Sequence, residues 1–305
     1  MNYVVILIYF TCFNLVLLAQ PITPIPRNNT IDNAQKIRLG KQLFFDQSLS
    51  KNNQISCASC HRHQYATADN RRNSPYSDNK TNPINTPTLY NSKYNFTQFY
   101  DGRASTLEEA ITLMIEQNDT MQSNISDLAK KLNHTAYKKR FEAIYHDRVK
   151  PKYISNAIAA YIKTLNTPNA PFDKYLRGDD TALSASQKRG YFLFQSKGCI
   201  ICHNGVNLGG NLFAKFGEIK PLLSDYLGRY NITKDPHDKY FYKVPTLRNI
   251  SKTAPYMHDG RFYSLRDVVQ FMLQYQLDAY GNRQDIDDIV DFLHALDGEV
   301  PHDVQ

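Results

Sequence analysis

Two five-residue stretches decide how this chain folds: Cys57-Ala58-Ser59-Cys60-His61 and Cys199-Ile200-Ile201-Cys202-His203. In each, two cysteines are separated by two residues and a histidine directly follows the second. At this spacing two thiols can add to the vinyl groups of one haem while the histidine binds its iron. A zinc site or a redox dithiol also uses paired cysteines, but neither explains a histidine at that position twice. The motifs therefore predict two covalently attached c-type haems.

A second motif follows each haem motif, and its two copies are separated by a constant offset of 158 residues. Pro-Thr-Leu-x-Asn at 87–91 leads to Asp-Gly-Arg at 101–103, and the same order returns at 245–249 and 259–261. Chance is a poor explanation for an ungapped match of this length, so we infer two related domains. We expect an all-α fold of two cytochrome c-like helical domains, each around one haem, over residues 20–167 and 168–305.

Helical spacing and capping residues predict several helices in both domains. Their expected bounds are 32–45, 126–132, 153–165, 184–195 and 285–296. Thr106 and Ser264 are predicted N-caps, each with an acidic residue three positions later. The Asn- and Pro-rich stretch 70–87 is predicted to be a long loop, and 167–171 the linker between the domains.

The first segment of the chain is apolar and uncharged over residues 4–18. That length is short for a bilayer span, which needs about 20 residues, but it suits the core of a signal peptide. We expect residues 1–19 to be a signal peptide, with an uncleaved anchor as the alternative, and therefore export to the periplasm. The net charge of +7 is spread along the chain without a basic run, so no nucleic-acid partner is expected.

Further motifs extend the pattern at both ends of the chain. They are Leu-Gly-Lys-Gln-Leu-Phe-Phe-Asp at 39–46, Val-Pro-Thr-Leu-Arg-Asn at 244–249, Ala-Pro-Tyr-Met-His-Asp-Gly at 254–260 and Asp-Ile-Val-Asp-Phe-Leu at 288–293. With them the chain resembles the bacterial di-haem cytochrome c peroxidases and their relatives, the MauG-like di-haem maturases. The resemblance implies that the N-terminal haem is peroxidatic and that the C-terminal haem receives electrons.

The iron ligands follow from the resemblance by position. His61 corresponds to the proximal ligand of the peroxidatic haem and His203 to that of the electron-transfer haem. The sixth ligand of the second haem falls on Met272, fourteen residues after His258, and Met257 is its main competitor. MauG-like enzymes have tyrosine at this position, so Met272 favours the peroxidase side. A thioether ligand also raises the haem potential, which suits an electron acceptor.

The resemblance also implies a calcium ion and a set of partners. The calcium ligands of the family fall on Asn85, Thr253 and Pro255, the last two through their carbonyl oxygens. Oxygen ligands of this kind suit calcium. The expected partners are hydrogen peroxide and a small cytochrome c or another periplasmic electron donor, and a homodimer is a further expectation.

This sequence departs from the family pattern at the residues expected around the peroxidatic haem. The blocking distal histidine of many peroxidases falls on Ser77, and the distal glutamine and glutamate fall on Ala110 and Thr120. The tryptophan between the haems is Tyr100 here, which can still act as a redox-active aromatic. Cleavage of a peroxide O–O bond needs a group that moves a proton between the two oxygens. Threonine cannot act as a carboxylate base, so the sequence predicts slow peroxide cleavage at this site.

Residues close to Thr120 in the sequence are candidates for the missing distal group or for an iron ligand. Glu116 and Asp119 are the carboxylates nearest in sequence to Thr120. Met114 lies 158 residues before Met272, so both haems would have His/Met ligation if it binds iron, and the site would be closed to peroxide. Alternatively, Met114 only lines the haem pocket or packs against its neighbours.

Three arginines, Arg103, Arg248 and Arg261, are candidate partners of haem propionates, with surface salt bridges as the alternative. The leading hypothesis is a periplasmic oxidoreductase that reduces hydrogen peroxide at the His61 haem with electrons entering at the His203 haem. The first alternative is a MauG-like enzyme that oxidises residues of another protein. The second is a non-enzymatic electron carrier or redox sensor.

Overall fold

The structure is a computed structural model that describes residues 22–27, 33–74, 84–222 and 225–301. Its α-helices are α1 (Ala34–Phe45), α2 (Cys57–Cys60), α3 (Leu107–Glu116), α4 (Ile125–Leu132), α5 (Tyr137–Tyr145), α6 (Pro151–Ile162), α7 (Pro171–Leu176), α8 (Ala185–Ser196), α9 (Tyr230–Thr233), α10 (Leu265–Gln276) and α11 (Arg283–His294). Two short antiparallel strands, β1 (Phe213–Lys215) and β2 (Phe241–Lys243), form a ribbon. The all-α prediction is confirmed. The predicted signal peptide and Ser77 lie outside the described residues.

The predicted helices are present, with bounds shifted by up to three residues. Helix α6 begins at Pro151, where proline suits the first turn, and so starts before the predicted residue 153. Helix α11 begins at Arg283, because Asn282 and Asp285 form a capping box ahead of the predicted start at 285. The sequence missed α2, α5, α7, α9 and the ribbon. Within the described ranges, no helix is long and apolar enough to cross a membrane.

Both predicted N-caps are correct. The side chain of Thr106 accepts a hydrogen bond from the backbone N of Glu109, and that of Ser264 accepts one from Asp267. The Glu109 carboxylate reaches the backbone N of Ser105 at 2.7 Å, one residue before the cap. Because a cap is a local interaction, the sequence alone identifies it.

Each half of the molecule contains the same close helix crossing. Helix α1 crosses α6 in the N-terminal half, and α8 crosses α11 in the C-terminal half. A Cβ atom on Gly40 would lie 1.9 Å from the carbonyl oxygen of Ala157, and one on Gly190 would lie 1.9 Å from that of Asp288. Only a residue without a Cβ allows this approach, so the two glycines set the crossings.

Two apolar cores lie on either side of the predicted linker. Phe44, Phe141 and Ile158 are fully buried in the first, and Phe172 and Phe292 in the second. Segments near both ends of the described chain contact the opposite half: Ile22 packs on the C-terminal core, the backbone N of Ile25 donates to Asp173, and Val300 packs on the N-terminal core. The domain bounds drawn from the sequence do not include this exchange and stay a prediction.

The predicted linker is a buried junction, because Thr167 is only 1% exposed and α7 already begins at Pro171. Asn91 and Asn249, which occupy the same place in the two repeats, both donate to the Thr167 hydroxyl, at 2.8 and 2.7 Å. The two repeated motifs therefore meet at one side chain. A buried polar group needs such partners, which explains why this segment is not a free linker.

The C-terminal half carries an insertion between its haem motif and its Pro-Thr-Leu motif. From His61 to Thr88 the chain runs 27 residues, whereas from His203 to Thr246 it runs 43. The longer segment holds β1, α9 and β2. The backbone N of Lys243 in β2 donates to the carbonyl of Tyr100 at 2.7 Å, so the ribbon connects this insertion to the N-terminal half.

We expect Gly40→Ala to lower the free energy of unfolding by about 1–3 kcal/mol, the usual cost of overpacking a tight contact. The added methyl group would collide with backbone atoms of α6 rather than with a flexible side chain. Chemical denaturation of the haem-loaded protein measures the change. Arg38→Ala, at an exposed position of the same helix, is the control and should change stability little. Equal stability of the two variants would contradict the role of Gly40.

Candidate haem sites

A cavity beside the C-terminal motif collects the residues predicted to hold a haem. Cys199, His203 and Met272 all line it. An adjoining cavity shares His203 and Met272 and adds Cys202. The remaining apolar lining of the first cavity includes Leu265, Val268, Val269, Leu273, Ile289 and Leu293. A thiol pair, two ligand atoms and apolar walls are what a covalently attached macrocycle requires.

The histidines of both haem motifs are held by a main-chain carbonyl. Nδ1 of His61 lies 2.8 Å from the carbonyl oxygen of Thr67, and Nδ1 of His203 lies 3.1 Å from that of Leu208. A carbonyl oxygen only accepts, so Nδ1 carries the proton and Nε2 keeps its lone pair for iron. Burial lowers the pKa of both imidazoles, that of His203 to about 4. Neutral rings of this kind can ligate a metal.

The repeated Pro-Thr-Leu motif braces the loop behind each histidine. The hydroxyl of Thr88 donates to the carbonyl of Ala66 at 2.6 Å, and that of Thr246 donates to the carbonyl of Asn207 at 2.8 Å. Each acceptor directly precedes the residue whose carbonyl holds the histidine. The repeat revealed these threonines in the sequence, but only the structure shows what they bind.

The environment of the cysteines argues against a redox dithiol. Burial raises the pKa of Cys57 to about 12 and those of Cys60 and Cys199 to about 11. Thiol-exchange cysteines need the opposite shift, because the thiolate is the reactive form. In the described part of the chain, no cluster of three His, Cys, Asp or Glu residues could hold a metal ion. The residues present therefore fit two covalently bound haems.

The structure brings both candidate sixth ligands to the C-terminal site. Met272 lies on α10 and Met257 in the loop before it, and both line the two cavities. The geometry is therefore compatible with either methionine as the sixth ligand and does not choose between them. The assignment to Met272 stays a prediction from position.

Tyr100 comes from the N-terminal half but lines both cavities of the C-terminal site. Burial raises the pKa of its phenol, so the side chain is protonated at neutral pH. An aromatic ring supplied by one half therefore lies against the haem cavity of the other. The predicted position of Tyr100 between the two haems stays a prediction.

The two carboxylates predicted near the peroxidatic haem are both exposed. Oε1 of Glu116 accepts a hydrogen bond from the backbone N of Ile125 at 3.2 Å, which supports the first turn of α4. Asp119 lies in the turn that follows α3. Glu116 therefore supports α4 through this hydrogen bond, and the distal catalytic roles of Glu116 and Asp119 stay predictions.

Met114 and Thr120 lie together at the end of α3. Met114 is partly buried, and the Thr120 hydroxyl donates to its carbonyl oxygen at 2.7 Å. Thr120 therefore holds the backbone where α3 ends. No contact of the described residues tests whether the Met114 sulfur reaches iron, so that ligation stays a prediction.

The arginines predicted at haem propionates already have carboxylate partners. Arg248 is 1% exposed and lies 2.8 Å from the carboxylate of the equally buried Asp173. This buried ion pair corrects the expectation that Arg248 binds a propionate, because its charge is compensated inside the fold. Arg103 lies 2.8 Å from the Asp101 carboxylate and stacks over the ring of Phe99. Its propionate role stays a prediction.

The residues predicted to bind calcium lie in two adjoining segments. The backbone N of Asn85 donates to the carbonyl of His258 at 2.7 Å, and its side-chain Nδ2 donates to that of Arg71 at 2.8 Å. The amide oxygen of Asn85 is the atom left for a cation. Thr253 and Pro255, on the neighbouring loop, line the cavity of the C-terminal site. Calcium binding stays a prediction.

Comparison with known proteins matches this chain to di-haem cytochrome c peroxidases and their relatives. The family model of the di-haem cytochrome c peroxidases matches residues 34–181. The chain is 41% identical to cytochrome c peroxidase Ccp of Escherichia coli, over 92% of this chain and 61% of that protein. It is 40% identical to cytochrome c551 peroxidase of Nitrosomonas europaea, over 92% and 85%. Among solved structures, a MauG-like protein associated with microbial copper homeostasis is 25% identical with a TM-score of 0.79, covering 94% of this chain and 96% of that one.

We expect Met272→Ala to change the absorption spectrum of the C-terminal haem alone and to lower its midpoint potential. The potential falls because a thioether ligand stabilises the ferrous state and the substitution removes that ligand. Spectroelectrochemistry of the two haems measures both effects. Met257→Ala is the matched control, as Met257 lines the same cavities. If the control perturbs the haem and Met272→Ala does not, Met257 is the ligand.

Proposed function

Because this chain belongs to the di-haem cytochrome c peroxidase family, we propose that it reduces hydrogen peroxide to water with electrons from a small cytochrome c or a similar donor. The observation that carries the proposal is the placement of Tyr100. It lines the cavity that contains His203 and Met272, although it belongs to the half that carries His61. An enzyme that takes up electrons at one haem and uses them at another needs a path between the two sites. A residue of one half that contacts the haem site of the other supports such a path.

In this proposal the two haem sites have different tasks. His61 holds the haem at which peroxide is reduced, and His203 with Met272 holds the one that accepts electrons. Bound haem iron supplies the one-electron redox chemistry of both steps. The chain orients the two proximal rings through the carbonyls of Thr67 and Leu208 and keeps the C-terminal site within apolar walls.

The location and the further partners also belong to the proposal. The apolar, uncharged segment 4–18 supports export and a periplasmic location. The adjoining positions of Asn85, Thr253 and Pro255 support a calcium ion at the junction of the two halves. A homodimer is proposed from the family resemblance alone.

Proton transfer is the weak point of the proposed reaction. Cleavage of peroxide requires a group that moves a proton from one oxygen to the other. The hydroxyl of Thr120 is engaged with the carbonyl of Met114, and the carboxylates of Glu116 and Asp119 are exposed. We therefore propose slow peroxide cleavage in the wild-type protein.

We expect Thr120→Glu to raise the rate of peroxide-dependent oxidation of reduced cytochrome c, because it restores a carboxylate at the distal position. A positioned acid–base group typically contributes about 10²–10⁴-fold, which sets the upper range of the gain. Steady-state turnover of the fully haem-loaded protein measures it. Thr120→Gln has the same length without a base and is the control. If neither wild type nor Thr120→Glu turns over, the peroxidase proposal is wrong.

One observation favours a second candidate, a non-enzymatic electron carrier. Met114 is the eighth residue of α3, as Met272 is the eighth of α10, and both side chains are partly buried. If both sulfurs bind iron, neither haem has a position for peroxide. The repeat thus provides a structural basis for an alternative in which both irons are six-coordinate.

Met114→Ala distinguishes the two candidates. With peroxidase function we expect the oxidised N-terminal haem to be high-spin as isolated, to bind cyanide without prior reduction, and to be unchanged by this substitution. Electron paramagnetic resonance and cyanide titration provide the measurements. A low-spin N-terminal haem that Met114→Ala converts to high-spin would instead identify Met114 as a ligand and favour the electron carrier.

A further inference from the structure

Lys243 is a buried cation at the boundary between the two halves. It lies at the end of β2 and is only 8% exposed. Its Nζ donates to the carbonyl of Thr97 at 3.0 Å, and its backbone N donates to that of Tyr100 at 2.7 Å. A side chain of the C-terminal half is therefore anchored in the loop that carries the inter-haem aromatic residue.

The ammonium group of Lys243 has unused hydrogen-bonding capacity. It carries three N–H donors, of which Thr97 takes one. Among the residues that the structure describes, no carboxylate lies within ion-pair distance of Nζ. The carboxylate of Asp101 attracts the Lys243 charge from a longer distance. That carboxylate is already bound by Arg103 at 2.8 Å and by the Tyr226 hydroxyl at 2.6 Å.

A buried charge without a partner is unfavourable, and burial lowers the pKa of Lys243 to about 8. A second buried cation, Arg248, shows how the fold normally solves this problem, since it is paired with Asp173 at 2.8 Å. Lys243 lacks such a carboxylate. The fold therefore leaves room for an anionic group from outside the chain.

The surroundings of Lys243 indicate where that anion comes from. Lys243 lines both cavities of the C-terminal site, together with His203 and Met272. The haem that these residues fit carries two propionate carboxylates. We propose that Lys243 binds a propionate of the C-terminal haem and so joins that haem to the Tyr100 loop. The inference rests on haem occupying the cavity and does not require peroxidase turnover.

An ammonium group paired with the propionate compensates its negative charge. A buried, uncompensated carboxylate beside the haem would stabilise the ferric state, since that state carries one more positive charge than the ferrous. Lys243 should therefore raise the midpoint potential of the C-terminal haem. Because the carbonyls of Thr97 and Tyr100 accept from the same residue, it acts as a positioning residue for that loop as well.

The test compares Lys243→Gln and Lys243→Arg in the haem-loaded protein. We expect Lys243→Gln to lower the midpoint potential of the C-terminal haem in a potentiometric titration and to shift its propionate bending band in resonance Raman spectra. Lys243→Arg keeps the charge and should stay closer to wild type in both. Lys239→Gln removes the same charge from an exposed position and is the matched control.

Equal potentials and propionate bands for Lys243→Gln and Lys239→Gln would overturn the inference. If Lys243→Gln fails to retain haem, restoration of the haem content by Lys243→Arg supports the ion pair, and failure to restore it counts against it. None of these measurements uses turnover, so they separate this inference from the proposed peroxidase activity.

Discussion

The hydrogen bond from Nδ1 of each haem-motif histidine to a main-chain carbonyl is the constraint on which the sites depend. It fixes the tautomer, and with it the direction in which Nε2 presents its lone pair to iron. The carbonyls of Thr67 and Leu208 can do this only while their loops stay in place. Thr88 and Thr246 hold those loops, so the conserved order of the internal repeat has a mechanical basis in this chain.

The same loops connect the two halves of the molecule. Asn207 directly precedes Leu208, is fully buried, and donates to the carbonyl of Asn91 at 3.1 Å, across the boundary. Asn91 in turn donates to Thr167, where its repeat partner Asn249 also binds. The loop behind His203 is thus held by residues of both halves. A relative movement of the halves would act directly on the orientation of that ligand.

The two halves share a scaffold and differ in what surrounds the haem. The C-terminal half carries an insertion whose ribbon places Lys243 at the cavity, and the N-terminal half contributes Tyr100 to the same cavity. In the N-terminal half, the Thr120 hydroxyl donates to the carbonyl of Met114 and so holds the backbone at the end of α3. The two halves therefore share the haem motif and its bracing threonine and differ in the residues that surround it.

The sequence by itself determined the two haem motifs, the repeat, the all-α class and the caps Thr106 and Ser264, because each is read from a local pattern of residues, which the repeat shows twice. The tertiary structure decided the rest. It paired Arg248 with Asp173, drew Glu116 to α4, buried the linker at Thr167 and enclosed Lys243. These outcomes depend on which distant groups packing brings within hydrogen-bond distance. That distance is set by the whole fold, and no local pattern encodes it.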